Sequence, residues 1–485
     1  GLPAHACEYQ MIYGMAEPLQ TAVTQMGRRI RLYTPVGELL PGMAYLVRRL
    51  LENTSNESFL RKEYAEHESI DHLLVPPTIS LPSPAGESAI ASALEGPFRN
   101  EPHRNFSEEP PRAALRATMR SVREQFNRQW PSHASVPAAG AELISRNPSD
   151  PSEIVGRCRG YAPSDTVRLV EHAHGAYDSW AVLSVRHRAE ILIRTAAIMR
   201  RRREELAAWE IFEAGKSWQE ADADVAEAID FCEFYAREMV RLGRPRRLGH
   251  EPGELNHLVY ASRGVAAVIA PWNFPLAIPA GMVAAALVTG NTVVFKPSER
   301  SPVMGALLAD ILAEAGLPDG VLQCMPGGPE VGQALVAHPD VALVAFTGSK
   351  AVGLRICAEA TQVHSQQRMI KRVIAEMGGK NAIIVDATAD LDEAVTGVVT
   401  SFTGYQGQKC SACSRAIVHE AIYDLFLKRL ADAVLSLPIG PPEDPGNRVG
   451  PLIDERAGAA VRQYVEVGKR EGRLVVERQA EGPGY

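Results

Sequence analysis

The sequence predicts an α/β protein organised on a doubly wound parallel sheet. Between residues 265 and 385, short β-branched runs alternate with helical runs. The strands read as Val265–Ala270, Thr292–Lys296, Val321–Met325, Val341–Thr347 and Ala382–Val385. The helices read as Pro279–Val288, Val303–Ala315, Val331–Ala337 and Ala351–Ala360. Such alternation is the pattern of a parallel sheet covered by helices on both faces. From Gly264 to Phe295 no residue is charged, yet Pro271, Pro275 and Pro279 cut the run into pieces too short to cross a bilayer. Two buried strands around a small-residue helix is the reading.

The 485 residues leave room for two to four domains, and 46% hydrophobic with 22% charged content excludes wholesale disorder. A net charge of −7 argues against a nucleic-acid surface as the main business. Seven cysteines without framework spacing suit free thiols in a reducing cytoplasm.

In chain order, residues 1–57 read as the closing elements of a separate domain. Arg29–Thr34 is strand-like, and Leu39–Asn53 is a helix on which Tyr45, Arg48, Arg49 and Glu52 cluster on adjoining faces. Adjacent arginines are either a solvated face or a bidentate grip on a carboxylate. Residues 58–150, punctuated by prolines, read as a linker and connecting region with a helix over Ala113–Arg128. Helical periodicity dominates Asp165–Leu242, where the Arg200–Arg203 run, followed at once by two glutamates, is expected to be a solvated helix face. Residues 151–375 and 376–485 then form two further domains.

Ligands of such sheets bind beyond the carboxyl ends of the strands, and there the chain carries its polar motifs. Pro271-Trp272-Asn273-Phe274 follows the first strand, and Lys296-Pro-Ser298-Glu299 the second. Phe346-Thr-Gly348-Ser349 follows the fourth, and Glu376-Met-Gly-Gly-Lys380 comes after Ala375. Asn273 can donate to an oxygen that becomes negative, or simply turn the chain. Lys296 and Glu299 suit a ribose diol, the carboxylate favouring NAD over NADP, or form a surface ion pair. Gly348 and Ser349 offer donors to a pyrophosphate, or an ordinary helix cap. Cys410, in Gly407-Gln-Lys-Cys410-Ser411-Ala-Cys413, is a nucleophile or an inert thiol, and the amphipathic run Ala416 to Leu435 follows it. With no second Cys pair or suitably spaced His pair, no metal site is expected.

In that order, with thirty-four residues separating Glu376 from Cys410, these motifs resemble the aldehyde dehydrogenase superfamily. The resemblance covers about Asp150 to Tyr485. It implies a Rossmann-like NAD domain plus an α/β catalytic domain, and NAD-dependent oxidation of an aldehyde to an acid. It casts Cys410 as nucleophile, Glu376 as general base and Asn273 as oxyanion donor. Pro271, Trp272, Lys296, Ser298, Glu299, Gly348 and Ser349 would hold the cofactor.

Tyr-Gly-Met-Ala-Glu-Pro-Leu at 13–19, Tyr33-Thr-Pro-Val-Gly37 and Tyr45-Leu-Val-Arg48-Arg49-Leu-Leu-Glu52 are similar to the end of the proline dehydrogenase barrel, its last βα unit. The combination resembles the bifunctional proline utilisation A family. There, an FAD barrel oxidises proline and the second domain oxidises L-glutamate γ-semialdehyde to glutamate. By that likeness Tyr33, Tyr45, Arg48 and Arg49 line a proline site, and Gln10 and Glu52 approach the flavin. Phe274 and Ser411 match the semialdehyde-specific branch. The resemblance implies that both ends are cut, that FAD belongs to the complete parent and not to this stretch, and that the parent is a homo-oligomer, with a peripheral place at the inner membrane open to it. The alternatives are a stand-alone aldehyde dehydrogenase for another aldehyde and a non-catalytic scaffold with the same fold.

Overall fold

The computed structural model of the chain describes residues 8–12, 17–34, 94–478, 480 and 482–485. The chain forms two compact units, divided between Ser83 and Pro84. In the first unit, β1 (Tyr9–Ile12) and β2 (Ile30–Tyr33) pair in parallel, with α1 (Glu17–Gln25) between them in sequence. A parallel pair joined through a helix is a βαβ connection, as expected for the end of a barrel. The expected helix Leu39–Asn53, with Tyr45, Arg48, Arg49 and Glu52, lies outside the described residues.

In the second unit α2 (Glu109–Arg123) both starts and ends earlier than the expected Ala113–Arg128. Pro110 and Pro111 sit in its first turn, where no helical N–H is required, so they start the helix rather than exclude it. Next come β3 (Arg128–Trp130), β4 (Glu142–Asn147) and β5 (Asp150–Arg159), which form a three-stranded sheet in the order β3-β5-β4. From Leu94 onward the stretch read as linker belongs to the folded unit. Leu115, Met119, Val122 and Trp130 are buried in its main core.

Four helices occupy the span of helical periodicity: α3 (Asp165–Ala181), α4 (Val185–Arg201), α5 (Arg203–Ala214) and α6 (Trp218–Leu242). A short antiparallel pair follows, β6 (Arg246–Arg247) with β7 (His257–Leu258). The alternating region is then β8 (Val265–Ile269), α7 (Ala277–Val288), β9 (Thr292–Lys296), α8 (Pro302–Glu314), β10 (Leu322–Cys324), α9 (Pro329–Ala337), β11 (Val341–Gly348) and α10 (Lys350–Ala360). It closes with β12 (Arg372–Met377). The five strands form one parallel sheet in the order β10-β9-β8-β11-β12.

Two clusters show that both faces are covered. Ala266 and Val268 of β8 pack in a core shared with α4 to α8, while Val265, Ala267 and Ile269 pack in a second core with α3, α9 and α10. Alternate side chains of a strand point to opposite faces, so one apolar run serves both. Among the described residues no helix is long and apolar enough to cross a membrane.

Two readings need correction. Ala382–Val385 does not join the main sheet. It is β13 (Asn381–Val385), paired in parallel with β14 (Cys413–Val418) in a separate two-stranded sheet packed on α11 (Leu391–Thr403) and α12 (Tyr423–Ser436). The main sheet's edge is instead β12, which carries Glu376; with its alternate residues exposed, it lacks the apolar run of its neighbours. The span Ala416 to Leu435 is accordingly strand and then helix. The last helix is α13 (Glu455–Glu471).

The second correction is the arginine run at 200–203. Arg203 pairs with Asp222 and Glu101, Arg200 with Glu101 and Glu233, and Arg202 with Glu205 and Asp310. Arg203 is only 2% exposed. Arg201 is exposed and Arg202 pairs with Glu205 three residues on, as local charge pattern expects, but Arg203 is neutralised inside the fold by Asp222 and Glu101, 19 and 102 residues away.

Candidate active site

The parallel register brings the polar motifs to one edge of the main sheet. Lys296, Ile269, Phe346 and Ala375 stand in one row across β9, β8, β11 and β12, and Glu376 stands one residue further, opposite Thr347. The Pro271–Phe274 loop leaves β8 at that row, Gly348 ends β11, and Ser349 caps α10.

The cysteine loop comes from the other sheet and meets this edge through Asn273, whose side-chain amide donates to the Gln408 carbonyl at 2.9 Å, two residues before Cys410. An amide nitrogen carries two hydrogens, so the second can serve a substrate oxygen. From the other side, the Asn381 amide donates to the Cys410 carbonyl at 2.7 Å and to the Ala412 carbonyl at 3.3 Å. Asn381 lies five residues after Glu376, so a short segment links the carboxylate to the clamp on the cysteine turn. Cys410 and Ser411 are exposed at this turn, whereas Cys413 is buried with its thiol toward the Arg415 carbonyl.

Upstream of the thiol the backbone is forced. Tyr405, Gln406 and Gly407 all have positive φ, at 48°, 56° and 69°. The first two are not glycines, and left-handed conformations there persist only where surrounding contacts impose them. Tyr405 is buried, donates its hydroxyl to the Ala214 carbonyl at 2.6 Å, and meets Trp272 edge-on at 6.3 Å.

A charged group that the sequence pattern does not disclose sits beneath the loop. Lys216 is fully buried, its ammonium 4.3 Å from the Phe274 ring and 5.3 Å from the Tyr405 ring. Desolvated cation–π contacts of this kind contribute about 2 kcal/mol. Lys216 pairs with Asp224, and Glu210 Oε2 lies 3.3 Å away. Burial pulls the lysine pKa down, but the two carboxyl groups outweigh it and hold the value above the usual range. Burial, reinforced by the neighbouring Asp224, pushes the Glu210 carboxyl well above the ordinary carboxylate range. The signal in the sequence is Gly215-Lys216-Ser217. Gly215 ends α5 with φ 69°, Ser217 caps α6, and the lysine between the helices is turned inward.

The proposed cofactor residues offer donors suited to a dinucleotide. Lys296 is buried, and desolvation lowers its pKa against the opposing pull of Glu299. Its ammonium is 3.6 Å from the Glu299 carboxylate, which is half-exposed. A buried cation beside an accessible carboxylate matches the two hydroxyls of a ribose. Gly332 lies against the lysine stem, where a Cβ would come within 3.4 Å of Cδ. Ser298 is buried, its hydroxyl accepting from the Arg300 N–H. Ser349 is exposed at the N-terminus of the 11-residue α10 and caps it by accepting from the Val352 N–H at 3.4 Å. That end presents unpaired N–H groups to an anion. The residues therefore fit NAD. Among the described residues no group of three or more His, Cys, Asp or Glu is arranged to hold a metal ion.

In the first unit, Gln10 is exposed on β1 and donates to Glu8, and Tyr33 ends β2.

Comparison with known proteins agrees with this layout. The aldehyde dehydrogenase family model matches residues 136–485, and the proline dehydrogenase model matches residues 1–62. The 1-pyrroline-5-carboxylate dehydrogenase of Geobacillus kaustophilus is 46% identical over 382 residues, which is 78% of this chain and 74% of that protein. The Bacillus subtilis protein of the same name is 43% identical over 381 residues, again 78% of this chain and 74% of that one. A crystal structure of proline utilisation A from Bdellovibrio bacteriovorus, inactivated by N-propargylglycine, superposes with a TM-score of 0.81 at 44% identity. That match covers 99% of this chain and 50% of that protein, so the chain spans half its length. A 1-pyrroline-5-carboxylate dehydrogenase from Thermus with bound NAD superposes with a TM-score of 0.78 at 43% identity, covering 80% of this chain and 76% of that one. The match over most of the second unit leaves one assignment: the chain belongs to the aldehyde dehydrogenase family.

Proposed function

We propose that this chain carries an L-glutamate γ-semialdehyde dehydrogenase, the NAD-dependent step that turns the aldehyde formed from 1-pyrroline-5-carboxylate into glutamate. The bond from Asn273 to the Gln408 carbonyl at 2.9 Å carries the proposal, because it joins the oxyanion donor to the nucleophile loop. The names of the relatives at 42–46% identity support the substrate.

The Cys410 thiolate adds to the aldehyde carbon, and the oxyanion takes hydrogen bonds from the Asn273 amide and the Cys410 N–H. NAD, when bound, accepts the hydride. Lys296, Glu299, Ser298, Gly348, Ser349 and the Pro271-Trp272 backbone would hold it. The thioester left on Cys410 is attacked by water, whose proton Glu376 accepts, and glutamate leaves. Phe274 and Ser411 face the semialdehyde in this reading.

Residues 151–375 then form the NAD-binding domain and 376–485 the catalytic domain, while 1–57 close a proline dehydrogenase barrel. Gln10 and Tyr33, with Tyr45, Arg48, Arg49 and Glu52, belong to the proline and flavin site of that parent protein. Free cysteines support a cytoplasmic place, and exposed Leu255, Val259 and Tyr260 beside β7 support a homo-oligomer.

The test is NADH formation by the chain and by its Cys410→Ser variant, with glutamate semialdehyde and with simple aliphatic aldehydes. Loss in the variant and preference for the semialdehyde are expected. Preference for the aliphatic aldehydes would end the substrate claim, and a fully active variant would end the catalytic one.

A further inference from the structure

The buried Lys216 is a costly feature. A buried ion pair is seldom more stable than apolar side chains filling the same space, so its contacts need a reason. They converge on the two segments that meet at the reactive thiol. Asp224 accepts both from Lys216 and from the Ala277 N–H, at 2.7 Å for the latter, which ties the pair to the start of α7 just after Asn273-Phe274. The ammonium faces the Phe274 ring on one side and the Tyr405 ring on another. Two residues before the lysine, the Ala214 carbonyl accepts the Tyr405 hydroxyl. The α5–α6 junction thus grips the oxyanion-donor loop and the left-handed turn of the nucleophile loop at once.

We propose that Lys216 is a positioning residue for the active site: its ammonium, lodged between Phe274 and Tyr405, sets the Asn273 amide against the Gln408 carbonyl and so fixes the oxyanion donor relative to Cys410. The inference rests on the function proposed above, since it needs Asn273 and Cys410 in their roles. A compact cation suits the place because both rings present their negative faces to it from different directions.

The experiment is a mutant cycle in the full 485-residue chain. Lys216→Met alone strands Asp224, so the neutral pair Lys216→Met/Asp224→Asn is used; the new amide oxygen still accepts from the Ala277 N–H. Its kcat for glutamate semialdehyde is expected to fall about ten- to hundredfold while KM for NAD stays within about twofold. Lys216→Arg keeps the charge but not the compact shape, and is expected to retain more of kcat than the neutral pair but less than the unaltered chain. Asn273→Ala is expected to cost about 10²–10³ in kcat, and adding the neutral pair to it to cost less than about twofold more. Tyr405→Phe removes only the hydroxyl anchor and gives the same non-additive pattern should the neutral pair fail to fold. Losses that multiply in full, or an unchanged kcat in the folded neutral pair or in Tyr405→Phe, overturn the inference while the function stands. If Asn273→Ala matches the unaltered chain, the reading of the site itself has failed, and this inference falls with it.

Discussion

Arg203 and Asp222 form a bidentate ion pair, Nε to Oδ1 at 2.7 Å and Nη2 to Oδ2 at 2.8 Å, with each side chain 3% exposed. Asp222 also accepts from the Arg104 N–H at 2.8 Å, so the pair pins the segment ahead of α2 to the helical layer. Removing one member leaves the other charge buried. Arg203→Met should therefore destabilise the second unit by about 3–5 kcal/mol. Urea unfolding monitored by tryptophan fluorescence checks this, and a midpoint equal to that of the unaltered chain would contradict it.

Glu213 gives the second unit a pH dependence. Burial pushes its carboxyl up to about 7, against the opposing effect of the Met304 and Val303 N–H groups, from which it accepts at 2.8 and 2.9 Å. Between an unfolded value near 4.5 and the folded value near 7, the folded chain keeps a proton that the unfolded chain has lost. This contribution to stability is complete below the unfolded value and is lost as pH rises through the folded one, amounting to about 3 kcal/mol. In Glu213→Gln the dependence should flatten. Glutamine mimics the protonated carboxyl, so the variant should match the parent at acidic pH and become the more stable of the two toward pH 8, by up to about 3 kcal/mol, as followed by unfolding across that range.

Glu376 should separate the two halves of the reaction. Glu376→Gln keeps the hydrogen-bonding shape but cannot take the proton of the attacking water. One equivalent of NADH should form rapidly per chain and steady turnover should fall about 10²–10⁴-fold. Intact-mass measurement should show glutamyl thioester on Cys410. A slowed burst with no thioester would place Glu376 in the first step instead.

Glu299 should set cofactor choice. Its carboxylate, 3.6 Å from the Lys296 ammonium and half-exposed, would confront a 2′-phosphate. Glu299→Gln should raise the ratio of kcat/KM for NADP to that for NAD by roughly tenfold, the effect of removing one partly screened like-charge contact. An unchanged ratio would mean that another group excludes the phosphate.

The sequence by itself determined the alternating α/β region. Four of its five expected strands belong to the main sheet, and Asn273, Lys296, Ser349 and Glu376 come to the edge of that sheet. This was legible because a strand buried on both faces must be apolar throughout, and because a parallel sheet puts every strand's carboxyl end on the same side. Tertiary structure alone decided that β12 forms the main sheet's edge and that β13 leaves it for β14. It also decided that Arg203, Lys216 and Glu213 lie inside, and that Asn273 reaches Gln408. Those outcomes depend on partners on other elements, from Asp224, eight residues after Lys216, to Gln408, 135 residues after Asn273. Local periodicity assigns charge to the surface and carries no information about a neutralising group that arrives from elsewhere in the chain.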